Sequence, residues 1–228
     1  MLRRFKQPTQ VTLHPDRLSK PLHWRKPRVA LVSAMGDLFH EDVPDEFLDD
    51  VWATMGLCEE PDLRKHTWLL LTKRPQRMRA YAESREKRCM VFALPNLWAG
   101  ITVCDQQEAD EKIPLLLSTP AAHRWISVEP MLGPIAMGRF FVNPKRRIDW
   151  VVAGGESLGS RPGRPTEPEW FHRLEEQCVH AHTPYYLKQV EALRFGDNKR
   201  VLVKFKPHQS NLPSEIAEIL LDGVGGER

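Results

Sequence analysis

Residues 149–156, DWVVAGGE, decide the fold. The run from Trp150 to Ala153 is apolar without alternation, and it stops at Gly154, Gly155 and Glu156. A strand with one wet face alternates apolar and polar side chains, whereas an unbroken apolar run suits a strand covered on both faces, as in a parallel sheet. Five similar runs lie at 28–34 (RVALVSA), 67–74 (TWLLLTKR), 97–103 (LWAGITV), 123–130 (HRWISVEP) and 184–189 (PYYLKQ).

Helical patterns separate the runs. At 44–56, Phe47, Leu48, Val51, Trp52 and Met55 share a face, with Pro44 near the first turn and Gly56 at the stop. At 75–88 the face is Met78, Tyr81 and Ala82, and at 167–180 it is Trp170, Phe171, Leu174 and Cys178. Asp105 can cap a helix over 105–118, which Pro114 is expected to interrupt. A last helix is expected at 213–222, ended by Gly223.

Strands alternating with helices specify βαβ units and an α/β fold with a parallel sheet. Six units are more than half of a (β/α) barrel of the TIM type, so a partial barrel is expected. A doubly wound open sheet is the alternative, but no strand is followed by GxGxxG. The barrel domain is expected over 28–190, after a basic irregular arm at 1–27 and before a C-terminal appendage at 191–228.

The chain has 228 residues with Lys+Arg 33 and Asp+Glu 30, a net charge of +3. That balance predicts neither a strongly basic nucleic-acid binder nor an acidic disordered tail. Hydrophobic residues at 41% argue against disorder. No run approaches the roughly 18 apolar residues of a membrane span, and no apolar segment follows the first charged residues as in a secretory signal. Cys58, Cys89, Cys104 and Cys178 form neither a disulfide framework nor a CxxC pair, which points to a reducing, cytoplasmic setting. Charge concentrates in the arm, where Arg3, Arg4, Lys6, Arg17, Lys20, Arg25, Lys26 and Arg28 face one acid, Asp16. Two readings stand. The arm contacts phosphates, with Phe5 and Trp24 free to stack on bases, or it is a solvated lead-in whose Trp24 packs on the domain.

The strand ends carry the chemistry. The first leads through Ser33 to Asp37, the second ends Lys73-Arg74, and the fourth ends in Glu129. The fifth ends Gly154-Gly155-Glu156-Ser157, and the sixth Lys188-Gln189. In a parallel barrel these ends share one mouth, where active sites are built. Asp37, Lys73, Glu129, Glu156 and Lys188 are therefore the candidate catalytic residues, with Ser33, Gly154, Gly155 and Ser157 as candidate cofactor contacts. The Gly-rich segment continues to Arg161 and Arg164, which with Arg74 and Gln189 are candidate substrate or anion contacts. It is no P-loop, because GK[ST] is missing.

Other chemistries fit less well. Cys178, His180 and His182 cannot put three metal ligands on one helix face, so no metal site is assigned. Lys73 or Lys188 could serve a cofactor-free lyase through a Schiff base. Glu129 and Glu156 could pair as in a glycosidase, but few aromatics are placed to stack on sugars. Ser157 lacks the GxSxG elbow.

The segments SAMGDLFHEDVPDEF (33–47), LLLTKRPQRM (69–78), LWAGITV (97–103), ISVEPMLGPI (126–135), DWVVAGGES (149–157) and YYLKQ (185–189) carry a resemblance. Over about 20–190 the chain resembles an uncharacterised family of bacteriophages and bacteria that has an N-terminal three-cysteine motif and is similar to radical SAM enzymes. The resemblance implies a radical-SAM-like barrel, a [4Fe–4S] cluster on three cysteines after the first strand, and S-adenosylmethionine at the open iron. Reductive cleavage would then yield a 5′-deoxyadenosyl radical. It also implies that Ser33, Asp37, Lys73, Glu129, Gly154, Gly155, Glu156 and Lys188 line the pocket. The chain departs from the pattern in having no cysteine before Cys58, so by this resemblance it starts after the family's first βα unit. The cluster's ligands are then absent, and the strand at 28–34 is left as an open barrel edge that a second copy or a partner could cover. The expectation is a radical-SAM-like protein acting on nucleic acid or a nucleotide; the alternatives are a non-enzymatic nucleic-acid or anion-binding module and the lyase.

Overall fold

The computed structural model describes residues 10–58, 66–156, 163–193, 200–204, 211–214 and 216–217. The chain is α/β. Its strands are β1 Val29–Val32, β2 Thr67–Thr72, β3 Leu97–Thr102, β4 His123–Val128, β5 Trp150–Gly154, β6 Tyr185–Leu193 and β7 Arg200–Lys204. The helices are α1 Asp45–Leu57, α2 Pro75–Lys87, α3 Gln106–Ser118 and α4 Pro168–His180.

The strands lie in chain order in one sheet. β1 to β6 are parallel, and β7 returns antiparallel to β6. The order never reverses, so the sheet lacks the switch point of a doubly wound fold. The six parallel strands curl into a half-barrel, in agreement with the partial barrel expected from the sequence. β6 runs past residue 190, and β7 lies within 191–228.

Alternation along the strands sorts side chains between two faces. Leu70, Ala99, Ile101, Ile126, Val128, Val151 and Ala153 join the core beneath the helices, against Leu48, Met78, Ile113 and Leu174. Trp98, Trp125, Trp150 and Val152 face the concave side. There Leu212, Ile216 and Ala217 cover them. The Trp150 indole donates to the Asn211 carbonyl at 3.0 Å, and the Asn211 amide donates to Tyr185 O at 3.0 Å. Part of the expected appendage therefore plugs the hollow of the half-barrel. Of the helix expected at 213–222, residues 214, 216 and 217 are helical, and 215 and 218–222 lie outside the described residues.

Helix α3 corrects an expectation. It runs through Pro114 to Ser118 without interruption. Asp105 accepts a hydrogen bond from Glu108 N at 2.9 Å, and the Glu108 carboxylate reaches back to Cys104 N at 2.9 Å. Pro114 lies on the exposed side, so the carbonyl it leaves without a donor can turn to water. The buried Ala109, Ile113 and Leu116 hold the other face, which offsets a proline cost of about 3 kcal/mol.

The arm is held from beneath. Its Arg28 N donates to His66 Nδ1 at 3.2 Å, and His66 Nε2 lies 3.2 Å from Pro21 O. Trp24 packs edge-on to His66 at 5.0 Å and carries the Arg28 guanidinium over its ring at 5.0 Å. Trp24 therefore packs on the domain, as the second reading of the arm had it; Phe5 lies outside the described residues. Burial lowers the His66 pKa, in keeping with a ring that accepts at one nitrogen.

Among the described residues β1 pairs with β2 alone, and its Leu31 is 44% exposed. Edge amides open with less disruption than central ones. We expect β1 amides to exchange at least about tenfold faster than those of β3 and β4 in a hydrogen-exchange measurement. Equal protection would show that something covers the edge.

Candidate functional site

The C-terminal ends of the parallel strands meet at the mouth of the half-barrel. Three groups of side chains occupy it.

The first group spans β1 and β2. Asp37 is a fastening. Its Oδ1 accepts from Phe39 N at 3.0 Å and from the Thr72 hydroxyl at 2.7 Å, and its Oδ2 accepts from Lys73 N at 3.0 Å and Arg74 Nη1 at 3.0 Å. Both oxygens are thus engaged in binding the loop after β1 to the end of β2, so a positioning role suits Asp37 better than proton transfer. Arg74 is committed to the same carboxylate, which weakens its case as an anion contact. The Lys73 ammonium is exposed, with no ion pair among the described residues. Ser33 closes a turn by accepting from Gly36 N at 3.0 Å, in the left-handed region at φ 58°.

The second group joins β4, β5 and β6. The Glu129 carboxylate meets Lys188 Nζ at 2.9 Å and accepts from Gln189 Nε2 at 3.2 Å. Consecutive strand residues normally point to opposite faces. Here the register shifts between Ala153 and Gly154, where Gly154 opposes Gln189, and both Lys188 and Gln189 reach Glu129. A Cβ on Gly154 would stand 3.1 Å from Glu129 Cγ and 3.3 Å from Gln189 Cγ, so glycine lets the ends of β4 and β5 close on the middle of β6, which runs on past the strand end expected at 189. Gly155 N donates to Gln189 O at 2.8 Å, and Gln189 Nε2 donates back to Gly155 O at 3.0 Å. Burial raises the pKa of Tyr186, and Glu129 adds to the rise.

The third group is Glu156 with Arg164. The guanidinium donates to both carboxylate oxygens, at 2.8 and 3.1 Å, and Arg164 N adds a bond of 3.0 Å. These bonds lower the Glu156 pKa. Gly163 makes the return possible, because a Cβ there would lie 2.7 Å from Glu156 Cβ and O. Arg164 is therefore neutralised by Glu156. Ser157 and Arg161 lie outside the described residues.

Sequence reasoning missed two contributors. Thr72 is buried and orients Asp37. Cys104 follows the end of β3, within electrostatic reach of Lys73, and Arg164 in turn feels Cys104. Its thiol pKa is raised by burial and then by Glu108, so it is no ready thiolate. The signal for Cys104 was the rule that flagged Lys73 and Glu129: a reactive side chain just past a strand end.

The cysteines do not fit a [4Fe–4S] cluster. Cys58 caps α1, Cys89 follows α2, Cys104 is at the mouth and Cys178 is inside α4, where burial pushes its thiol up to about 12. Three thiolates of one cluster must converge, and these four stand on separate elements. Among the described residues no group of three or more His, Cys, Asp or Glu is arranged to hold a metal ion, and no helix is long and apolar enough to cross a membrane.

A family model described as "Protein of unknown function (DUF5131)" matches residues 2–212. The chain belongs to this family. No curated protein and no solved structure matches it. In this DUF5131 member the matched span takes in every strand of the sheet and all three groups at the mouth.

Proposed function

We propose that the mouth binds a nucleoside–amino-acid conjugate of the S-adenosylmethionine kind, within a barrel of the radical-SAM-like type. The observation that carries this reading is the Glu129–Lys188–Gln189 group, where the end of β4 meets the middle of β6. It offers an acid, a base and an amide within one side chain's reach. A ligand with an ammonium, a carboxylate and a sulfonium can use that mixture, its cations meeting Glu129 and its carboxylate Lys188. The pair is also readily reopened. Lys188 is 50% exposed, and exposed ion pairs contribute only about 0–1 kcal/mol. Lys73 stands across the mouth as a further cation.

No chemical step through an iron–sulfur cluster is assigned to this chain, because its described cysteines do not converge. Binding is the function read here. For Lys188 the lyase reading loses ground, because its amine is engaged by Glu129. Lys73, which forms no ion pair among the described residues, keeps that reading second. The anion-module reading loses ground because Arg74 and Arg164 are already paired.

Titration calorimetry with S-adenosylmethionine, S-adenosylhomocysteine and ATP tests the proposal. The first two should bind, and ATP more weakly. Glu129→Gln should weaken S-adenosylmethionine about tenfold or more, the scale of one lost charged hydrogen bond. It should weaken the uncharged thioether less. If ATP alone binds, or if Glu129→Gln and Lys188→Met leave every affinity unchanged, the mouth is not this site.

A further inference from the structure

We infer that the arm at 10–28, at the opposite end of the sheet from the mouth, is a docking surface for the phosphate backbone of a nucleic acid. Arg28 leads directly into β1, so the arm sits at the N-terminal ends of the strands. The inference does not depend on what the mouth binds.

The distribution of ion pairs points there. On the helices and strand ends, most cations are neutralised locally: Arg74 by Asp37, Arg79 by Glu83, Arg85 and Arg88 by Asp49, Arg139 by Asp110, Arg173 by Glu169. In the arm, Arg17, Lys20, Arg25, Lys26 and Arg28 are all exposed, and none forms an ion pair with a described residue. The arm thus gathers five exposed cations without an ion pair in one short segment; among the described residues Lys73, Lys87, Lys145 and Arg146 are the exposed cations elsewhere that form no ion pair with a described residue. Lys145 and Arg146, exposed in the lead-in to β5, add to the same end of the sheet.

These cations are presented on a fixed backbone. Two 3₁₀ turns, Pro15–Arg17 and Lys20–His23, shape the arm. Leu18, Leu22 and Trp24 pack against the core, and His66 ties down Pro21 and Arg28. A held backbone loses less entropy when it meets a regular array of charges than a frayed tail would.

The same packing selects the partner. A membrane-surface segment needs apolar side chains directed outward to enter the acyl region. Here Val11, Leu13, Leu18, Leu22 and Trp24 all pack inward, so the arm shows a bilayer cations alone. Phosphate contacts need only cations, and they carry affinity without sequence preference. Trp24 is covered by Arg28 and His66, so base stacking is not part of the inference.

The test is fluorescence anisotropy of the full chain with labelled single-stranded and duplex DNA of about 20 nucleotides, longer than the roughly 4–16 nucleotides of common single-strand sites. Salt is varied from about 50 to 200 mM. The variant Lys20→Gln/Arg25→Gln/Lys26→Gln is compared with Arg79→Gln/Arg139→Gln/Arg173→Gln, which removes equal charge from paired helical and loop sites. The arm variant should weaken binding at least tenfold, and its slope of log affinity against log salt should be shallower by about 2–3. The control should stay within about twofold of the parent, and circular dichroism checks that both fold. Equal losses in the two variants would reduce the effect to net charge and overturn the inference. So would absence of binding at the lowest salt, or binding to phosphatidylserine vesicles in preference to either DNA.

Discussion

Replacing Asp49 by Asn should destabilise the protein by about 3 kcal/mol, the scale of removing one partner from a buried charge pair. Asp49 lies on α1 and is gripped by α2. Its carboxylate accepts from Arg88 at 2.6 and 3.1 Å, from Arg85 at 2.7 Å and from the Tyr81 hydroxyl at 2.7 Å. Arg85 is only 6% exposed, so losing Asp49 strands a guanidinium that also lies against Trp52 and Tyr81. Typical domain stability is about 5–15 kcal/mol, which makes the loss a large share. The effect should vary with pH in a definite sense. The hydrogen bonds from Arg88, Tyr81 and Arg85, the Arg88 bond foremost, hold the Asp49 pKa at about 2, below the ordinary 3.8. A lowered carboxylate pKa stabilises the fold above the unfolded value and loses that contribution as protons bind. Denaturant unfolding of parent and variant should therefore show a constant gap above about pH 4 that narrows toward pH 2. A gap unchanged over that range would mean that the loss came from packing alone.

Gly100→Ala should be of similar severity, about 3 kcal/mol, at the upper end of overpacking costs. Gly100 sits at the centre of β3 on the concave face, directly under the Trp125 ring. A Cβ there would fall 2.2 Å from Trp125 Nε1 and 2.7 Å from Leu70 O. That indole nitrogen donates to Leu70 O at 2.9 Å and to Trp98 O at 3.2 Å, so displacing the ring also breaks its bonds to two strands. Escape is blocked, because Trp125 stacks on Trp150 at 5.6 Å beneath Leu212, Ile216 and Ala217. The check is a double-mutant cycle by thermal or denaturant unfolding. In a Trp125→Leu background the alanine should cost at least about 1 kcal/mol less than in the parent. Additive losses would place the strain in the backbone around Leu70 O.

The strand ends show why the site was half legible. Lys73, Glu129, Glu156 and Lys188 follow apolar strands, and parallel topology alone sends such residues to one mouth. Their pairing was not legible. Nothing in LKQ announces that Lys188 and Gln189 both turn to Glu129, because that needs the shift at Gly154, a property of two strands together. Asp37 looked like a catalytic acid and is a fastening, because a carboxylate's role depends on how many donors surround it, and its donors come from residues 39 and 72–74.

By itself the sequence determined the six parallel strands, helices α1 to α4 and the parallel class, because apolar runs, helical periodicity, caps and glycines act over a few residues; the antiparallel β7 was not read from it. It also determined that no cysteine precedes Cys58. Only the tertiary structure decided the rest. It ran α3 through Pro114, since burial of Ile113 and Leu116 outweighs one lost hydrogen bond. It folded Leu212, Ile216 and Ala217 into the hollow over the tryptophans, and it neutralised most helical cations while leaving those of the arm exposed. Each outcome depends on which distant surfaces meet, and contacts between distant residues have no local period to reveal them.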